Sequence, residues 1–339
     1  MKFRLIEDPI EFEALAETWN ALLAESITNV PFLRHEYLYT WWQTRGGGEW
    51  AQVRLALVCA EDDGHLRGIA PFFLTEHEGL PSLLFLGSIE ISDFLDLIVR
   101  PADLHPFIRG LFDFLSDSDS AVGWRALDLY NLPEGSPAIS ALQVEAETRG
   151  WTAEQQVLQP APYISLPGDF EAYLAGIDKK QRHEIRRKMR RAVDGGRSVR
   201  WYIVEDEAVL DAEVDSFLEL MANDPQKAAF LTGVMRSQMR AAVHAAFQHG
   251  WLQLAFLEID GQKACGYLNF DYANRIWVYN SGLHPGFMDL SPGWVLLGYL
   301  LEWANLNRRA ELDFMRGNEA YKYKFGALDR QVLRLKMMR

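Results

Sequence analysis

The 339-residue chain carries 47 acidic and 34 basic side chains, a formal net charge of −13, and 49% apolar residues. This composition predicts a globular protein of about two domains and excludes a surface that binds nucleic acid in bulk, DNA included. Cys59 and Cys265 stand far apart and the histidines show no metal-ligand spacing, so we expect neither a disulfide framework nor a metal site.

The sequence also carries no pattern of membrane insertion. Its first residues, MKFRLIEDPIEF, lack the apolar core of a signal peptide. The most apolar run, Trp294 to Trp303, is interrupted by Glu302 and is too short to cross a bilayer. We therefore expect the protein in a reducing cytoplasm.

The first half of the sequence predicts an α/β unit. Two β-rich runs flank the turn residues Asp62-Asp63-Gly64 and indicate a hairpin, and apolar residues at helical spacing follow Pro101. The predicted elements, in chain order, are the hairpin (52–60 and 67–75), strand 94–100, a helix with apolar positions from Leu104 to Leu115, and strand 125–129.

The second half repeats this order of elements. The predicted elements are strands 251–259, 263–272 and 275–283, a helix from about Ser291 to Leu306, and strand 310–315. Each half thus ends in a Leu-Asp strand that follows an Arg-Ala pair, at Arg125-Ala126 and at Arg309-Ala310. This similarity suggests duplication of one α/β unit. Pro160 and Pro162 interrupt the pattern, and we predict domains of residues 1–155 and 156–339.

The segment KKQRHEIRRKMRR opens the second half and predicts a basic amphipathic helix over 179–193. Ile185, Met189, Ala192 and Val193 form its apolar stripe. The cations that we consider for binding anions are Lys180, Arg182, Arg186 and Arg187. They could contact the phosphates of a nucleotide-linked or lipid-linked substrate, tRNA, or an anionic membrane through 179–191. The alternative is a solvated face that balances the acidic helix after it.

The start of the predicted helix at 291 is a second candidate anion site. Ser291 is a plausible N-cap, Pro292 suits the first helical position, and Gly293 leaves the backbone uncovered. Free N–H groups and the positive end of the helix dipole favour a pyrophosphate at such a place. The alternative is ordinary capping of a core helix.

The stretch LDFMRGNEAYKYKFGA at 312–327 is the most informative part of the sequence. A short apolar strand carrying Asp313 ends in a turn at Gly317, and a short helix rich in tyrosine and lysine follows. This places a carboxylate near two phenols and two ammonium groups, those of Tyr321, Lys322, Tyr323 and Lys324. The alternative is a surface helix with solvated lysines and two aromatic rings on the core.

Together these residues resemble the GNAT-fold acyltransferases, and more closely the branch related to the FemAB peptidyl transferases and CelD-like polysaccharide proteins (the BioF2-like acetyltransferase domain). The motif K-x-R-x-x-I-R-R is similar to 180–187, and D-F-x-x-G-x-E-x-Y-K-x-x-F-G is similar to 313–326. The resemblance implies two tandem GNAT-like α/β domains with mixed central sheets flanked by helices. The chain departs from GNAT enzymes in keeping only Ser291-Pro292-Gly293 where they have a glycine-rich pyrophosphate loop.

The chemistry implied by the resemblance is acyl transfer to an amine by direct attack. Asp313 or Glu319 would act as general base or orient the acceptor, and Tyr321 or Tyr323 would protonate the leaving group. Lys322 and Lys324 would stabilise an oxyanion or contact phosphates, while backbone N–H groups of strand 275–283 could donate to the oxyanion. Acyl-coenzyme A is the expected cosubstrate, with no tightly bound cofactor.

The resulting hypothesis is a cytoplasmic N-acyltransferase whose acceptor is an amine of an amino sugar, a lipid-linked saccharide or a lipid precursor. Two alternatives remain open. FemAB-type relatives use aminoacyl-tRNA in place of a thioester, so the basic helix could be a tRNA contact. The protein could also be a non-catalytic component of polysaccharide or envelope assembly that docks through the same helix.

Overall fold

The computed structural model describes residues 1–117, 123–194 and 196–339. Two compact units make up the chain: Met1–Gln159 together with Gln331–Arg339, and Pro160–Arg330. The sequence analysis drew its domain boundary at 155/156 and gave the C-terminal residues to the second domain. In the structure the last nine residues lie with the first unit.

Within the described residues, fourteen strands form two mixed sheets. Their bounds are β1 (Lys2–Ile6), β2 (Arg54–Asp62), β3 (His65–His77), β4 (Leu80–Phe85), β5 (Ile98–Val99), β6 (Ala126–Pro133), β7 (Thr152–Pro160), β8 (Tyr163–Ser165), β9 (Val199–Ile203), β10 (Leu252–Ile259), β11 (Gln262–Tyr272), β12 (Arg275–Leu283), β13 (Glu311–Asp313) and β14 (Gln331–Met338).

Helices flank both sheets. Their bounds are α1 (Pro9–Ala14), α2 (Ala16–Ala24), α3 (His35–Gly48), α4 (Leu104–Ser116), α5 (Pro137–Thr148), α6 (Phe170–Gly176), α7 (Lys179–Asp194), α8 (Glu207–Ala222), α9 (Pro225–Phe230), α10 (Gly233–Gln248), α11 (Pro292–Leu306) and α12 (Ala320–Lys324), with 3-10 turns at Pro31–Leu33, Pro101–Asp103 and Pro285–Leu290. In the described ranges no helix combines the length and the apolar content that crossing a bilayer requires.

The two sheets have matching topology. The first runs β1-β2-β3-β4-β6-β14-β7, and the second runs β8-β13-β12-β11-β10-β9. In each, a hairpin and a third strand are antiparallel, and the third strand pairs in parallel with the strand that returns after a helix: β4 with β6, and β12 with β13. The predicted fold class, two mixed sheets flanked by helices, is confirmed.

One predicted strand needs correction. The sequence analysis placed the third strand of the first half at 94–100, but the structure divides that strand into β4 and β5. Phe85 of β4 pairs with Phe72 of β3, and Val99 of β5 pairs with Gly68 of β3, so both strands are neighbours of β3. Residues 86–97 are an insertion between them. The sequence analysis missed β4 because Pro81 stands near its start and weakens the strand pattern.

Helices α7 and α11 of the second unit pack closely against each other. The basic amphipathic helix predicted at 179–193 is α7, and its apolar stripe buries Ile185 and Ala192. Met189 reaches α11 at Gly298, where an added Cβ would lie 2.7 Å from the methionine sulfur. A larger residue at this position would force the Met189 side chain to move. Helix α11 buries most of its surface, as predicted.

Each of the two Leu-Asp strands has a buried aspartate that pairs with an arginine. In the first unit, Asp128 is fully buried and accepts from Arg334 Nε at 2.7 Å and Nη2 at 2.6 Å. In the second, fully buried Asp313 has its Oδ2 atom 3.3 Å from Arg330 Nη2. Each arginine lies over a tyrosine ring in its own unit. The two halves therefore correspond at the level of side chains as well as strand order.

The first unit also brings three potential metal ligands together. Ligand atoms of His77, Glu78 and Asp128 lie within 4.8 Å of one another, among the residues the structure describes. Both carboxylates already pair with cations, Asp128 with Arg334 and Glu78 with Arg334 and Lys336. A metal ion would have to displace these cations, so the cluster is explained by its ion pairs.

A second buried carboxyl in the first unit has no cationic partner among the residues that the structure describes. Asp96 is fully buried, and it accepts from the Thr28 hydroxyl at 2.6 Å and from the Leu97 N–H at 2.8 Å. Burial raises the pKa of Asp96 to about 6 although these hydrogen bonds act to lower it. The folded state therefore holds this proton more tightly than the unfolded chain, in which an aspartate pKa lies near 4.

This pKa predicts how stability depends on pH. Because the folded pKa is raised, the stabilisation is fully present below about pH 4 and is lost as pH rises through about 6. At about 1.4 kcal/mol per pKa unit, the loss is about 3 kcal/mol. Urea unfolding of Asp96→Asn between pH 4 and 8 should lack this decline relative to the unsubstituted protein. Parallel curves for the two proteins would contradict the prediction.

Candidate functional site

The parallel strands of the second unit separate after a short pairing. Strands β12 and β13 pair from Arg275 and Glu311 to Trp277 and Asp313. Beyond that point the chain after β13 turns toward β8, with the Phe314 N–H donating to the Pro162 carbonyl at 2.8 Å. A register shift between Leu268 and Asn269 of β11 marks a bulge in β12 at the same level. The edge of β12 from Val278 to Leu283 is therefore left without a neighbouring strand.

The corresponding place in the first unit is filled by the chain itself. The insertion 86–97 lies beside the end of β6, where Asn131 donates from Nδ2 to the carbonyls of Ile89 at 2.8 Å and Ser92 at 2.7 Å. The Leu95 N–H donates in turn to the Asn131 carbonyl at 2.8 Å. The candidate site therefore lies in the second unit.

Helix α11 begins at one end of the unpaired β12 edge. It starts at Pro292 with Ser291 in the N-cap position, as predicted, but the Ser291 side chain does not cap the helix. Ser291 has left-handed dihedrals (φ 54°, ψ 52°), and its side chain makes no capping hydrogen bond. Its carbonyl instead accepts from the N–H groups of Trp294 and Val295. Among the described residues no side chain caps this 15-residue helix and its first turn carries no acidic residue, which leaves the Gly293 N–H available to an anion.

Two lysines from different helices meet at this helix start. The Lys188 ammonium lies 3.7 Å from the centre of the Trp294 ring, and that of Lys324 lies 5.9 Å from it. Burial lowers the pKa of Lys188, and the charges of Arg187 and Lys324 act in the same direction while Glu184 opposes them. Helices α7, α11 and α12 thus place two cations beside an uncapped helix N-terminus, an arrangement suited to phosphate groups.

The sequence analysis did not single out Lys188. A signal for it was present, because Lys188 stands three residues after Ile185 and four before Ala192, on the apolar stripe of α7. A cation on the packed face of a helix needs specific partners, and here they are the face of Trp294 and the Glu184 carboxylate, whose Oε1 lies 3.5 Å from the ammonium.

Two phenols line the unpaired edge between β12 and α11. Buried Tyr267 donates from its hydroxyl to the Gly293 carbonyl at 3.3 Å. Tyr321 is half-buried and packs edge-to-face on Phe314. Burial raises the pKa of both phenols. A negative charge on Tyr321 would raise the pKa of Tyr267 further, and Glu319 acts in the same direction on Tyr321. Both therefore stay protonated at neutral pH.

The second predicted tyrosine points elsewhere. Tyr323 is exposed, and its hydroxyl donates to Asp329 Oδ1 at 2.8 Å. Burial and this carboxylate raise its pKa to about 12. Of the two candidate acids, Tyr321 is the one that the structure places beside Tyr267 and the start of α11.

Lys322 lies inside the protein and not at the surface of the site. Only 2% of it is exposed, and its ammonium donates to the carbonyls of four consecutive residues, Phe314 to Gly317, at 3.0–3.4 Å. Glu319 Oε2 lies 2.9 Å from the same nitrogen. This geometry favours a structural role in holding the turn after β13. The contact with an oxyanion stays a prediction that the geometry does not favour.

The two carboxylates predicted as candidate bases differ in access. Asp313 is fully buried, and its Oδ1 accepts from the Met315 N–H at 2.7 Å while Oδ2 faces Arg330. The side chain of Glu319 is 58% exposed. Gly317 (φ 113°) lies next to this carboxylate, since a Cβ added there would be 2.6 Å from Glu319 Oε2. Glu319 is therefore the carboxylate that a bound amine can reach, and Asp313 corresponds to the structural Asp128.

The predicted anion-binding cations of α7 do not converge on one point. Arg182 donates to carbonyls at the end of α6, Arg186 pairs with Glu171, and Arg187 pairs with Glu184 at 2.8 Å. Lys180 is exposed. Their binding role stays a prediction. Arg187 shares its partner with Lys188, whose ammonium lies 3.5 Å from the same Glu184 Oε1 atom.

Comparisons with known proteins show a similar domain in the sequence and a similar fold. Residues 179–323 match the family model described as an acetyltransferase (GNAT) domain. No curated protein matches the sequence. Solved structures with a similar fold include FemX (TM-score 0.65, 11% identity, 98% of this chain and 97% of that one). Another is the C-terminal domain of an Agrobacterium fabrum protein provisionally assigned as a lysylphosphatidylglycerol synthetase (0.56, 11%, 97% and 92%).

A third similar structure is L-PGS from Bacillus licheniformis (TM-score 0.54, 13% identity, 98% of this chain and 92% of that one). At these identities the similarity shows a shared fold across nearly the whole chain. The matched domain model begins at the first residue of α7 and ends inside α12, so it contains Lys188, the start of α11 and Tyr321.

Proposed function

We propose that this chain, whose residues 179–323 match the GNAT acetyltransferase domain, transfers an acyl group from a thioester of coenzyme A to an amine. The observation that carries the proposal is the uncapped start of α11 between Lys188 and Lys324. A pyrophosphate bound there would place the rest of the donor along the unpaired edge of β12. The acceptor would be an amine of an amino sugar, a lipid-linked saccharide or a lipid precursor.

The proposed reaction is direct attack in a ternary complex. The amine nitrogen forms a bond to the thioester carbonyl carbon, and the carbonyl oxygen becomes an oxyanion that backbone N–H groups at the β12 edge can stabilise. Glu319 takes a proton from the attacking amine, directly or through a water. As the carbon–sulfur bond breaks, the Tyr321 phenol donates its proton to the leaving thiolate. Neither step needs a metal ion or a covalent enzyme intermediate.

Ligand binding tests the proposal before any acceptor is known. Thermal stabilisation should be measured with coenzyme A, with acetyl-, medium-chain and long-chain acyl-coenzyme A, and with deacylated tRNA. A ligand at 100 times its Kd stabilises the folded state by about 2.7 kcal/mol, which gives a readable shift. Stabilisation by a thioester supports the proposal, and stabilisation by tRNA alone would replace it with a tRNA-dependent reaction.

The two lysines at α11 give a sharper test of the donor site. Replacing both, Lys188→Met with Lys324→Met, removes two charge-assisted contacts to the donor, so its Kd should rise roughly 10- to 100-fold. Titration calorimetry at low and high salt measures this, and the variant should also lose salt dependence because exposed charges are screened. The control Lys2→Met with Lys179→Met removes the same charge at exposed positions. Equal weakening in the control would contradict the assignment.

A second candidate function keeps aminoacyl-tRNA as the donor. The exposed cations of α7 favour it, because they form a surface larger than one pyrophosphate requires; they include Lys179, Lys180, Arg187, Arg190 and Arg191. Competition between tRNA and acetyl-coenzyme A distinguishes the two functions. Replacing Arg187 and Arg190 by glutamate should abolish tRNA binding and spare the thioester, if tRNA is the donor.

A further inference from the structure

A second cation, Lys227 of α9, reaches the unpaired edge of β12 from the side opposite α11. Its ammonium donates to the Ser281 carbonyl at 2.5 Å. Ser281 pairs with Tyr267, the residue whose hydroxyl contacts the start of α11. Lys227 therefore lies across the β12 edge from the proposed donor site, and the sequence analysis did not identify it.

Lys227 lines a cavity of about 280 Å³ in the second unit. This volume is near the lower end of the range for small-ligand sites. Apolar side chains make up most of its wall, and Lys227 is its cation; the lining includes Leu220, Met221, Pro225, Leu283, Pro285 and Met288. Two of the other polar side chains in the lining are already engaged, since Asn223 donates to the Leu283 carbonyl and Asp224 Oδ1 accepts from two N–H groups of α9.

The charge of Lys227 is incompletely compensated. An ammonium has three donors, and among the described residues the Ser281 carbonyl is the acceptor within hydrogen-bond distance. Burial lowers the pKa of Lys227, and the carboxylates of Asp224 and Glu319 only partly offset this effect from farther away. A partly buried cation with two free donors at the wall of a cavity gains most from an anionic ligand.

Resting on the proposed acyl transfer, we infer that this cavity binds the acceptor, and that the acceptor carries an anionic group, a carboxylate or a phosphate monoester, held by Lys227. Ser281 of the cavity wall pairs with Tyr267 of β11, whose hydroxyl contacts the start of α11, so the cavity adjoins the proposed donor site. An acceptor whose acid group contacts Lys227 can then direct its amine toward Glu319 and Tyr321. The apolar wall would take the carbon skeleton between the two groups.

Matched probe pairs test this inference. The phosphate pair is glucosamine 6-phosphate against glucosamine, and the carboxylate pair is 4-aminobutyrate against butylamine. Calorimetry without donor should show the anionic member of at least one pair binding roughly 10- to 100-fold more tightly than the neutral member, as expected for one charge-assisted contact. The pair that shows the preference identifies which acid group the cavity accepts.

The Lys227→Gln variant keeps an N–H donor for the Ser281 carbonyl and removes the charge, so it should fold and bind both members of a pair equally. Lys227→Arg should retain part of the preference, and Lys2→Met should retain all of it. Equal binding of both members by the unsubstituted protein, or an unchanged preference in Lys227→Gln, would overturn the inference. Because binding is measured without a donor, failure of the proposed acyl transfer would appear separately, as absence of thioester binding.

Discussion

Tyr321→Phe is expected to lower kcat for acyl transfer by about 10²- to 10⁴-fold, the usual contribution of a positioned general acid. The phenol is half-buried beside Tyr267, and among the described residues its hydroxyl donates to no protein acceptor. Burial raises its pKa, so the proton is present throughout the neutral range. Phenylalanine keeps the ring contact with Phe314 and removes only the proton donor, so donor affinity and stability should change little.

Tyr323→Phe is the matched control, because it lies two residues farther along the same helix. Its hydroxyl contacts Asp329 at 2.8 Å, so its loss should leave kcat within about twofold. Steady-state kinetics with saturating acyl-coenzyme A would measure both variants. A large loss in Tyr323→Phe with normal rates in Tyr321→Phe would reverse the assignment of the acid.

Lys322→Met is expected to lower the free energy of unfolding of the second unit by about 4 kcal/mol. The substitution removes the ammonium that donates to four carbonyls, of which those of Phe314 and Met315 are buried and those of Arg316 and Gly317 partly buried. Leaving buried polar groups unsatisfied costs about 1–3 kcal/mol each, and removing one partner of a buried charged contact costs about 3–5 kcal/mol. Urea unfolding followed by tryptophan fluorescence would measure the change.

Lys324→Met separates this effect from a general loss of charge on α12. Lys324 is exposed, so its substitution should leave stability within about 0.5 kcal/mol. Comparable stability of Lys322→Met and the unsubstituted protein, together with lost activity, would favour the predicted oxyanion contact over the structural role.

In the candidate site, the sequence predicts where the functional segment lies better than it predicts the role of each residue in it. The segment 312–327 was identified from its residue types, and the structure brings Tyr321 and Lys324 from it to the start of α11. The sequence of this segment does not indicate that Lys322 points inward, because α12 is only five residues long. A helix of that length has no apolar period from which an inward face can be recognised.

The sequence by itself determined the order of elements, the repeat and the basic amphipathic helix, because hydrophobic periodicity and turn residues are local properties of the chain. Only the tertiary structure decided which strands are neighbours, such as the placement of β14 in the first sheet and the division of one strand into β4 and β5. It also decided that Lys188 and Lys324 lie near the Trp294 ring of α11 and that Lys227 contacts β12 at Ser281. Those contacts join residues distant in sequence, and their positions depend on packing that no local pattern specifies.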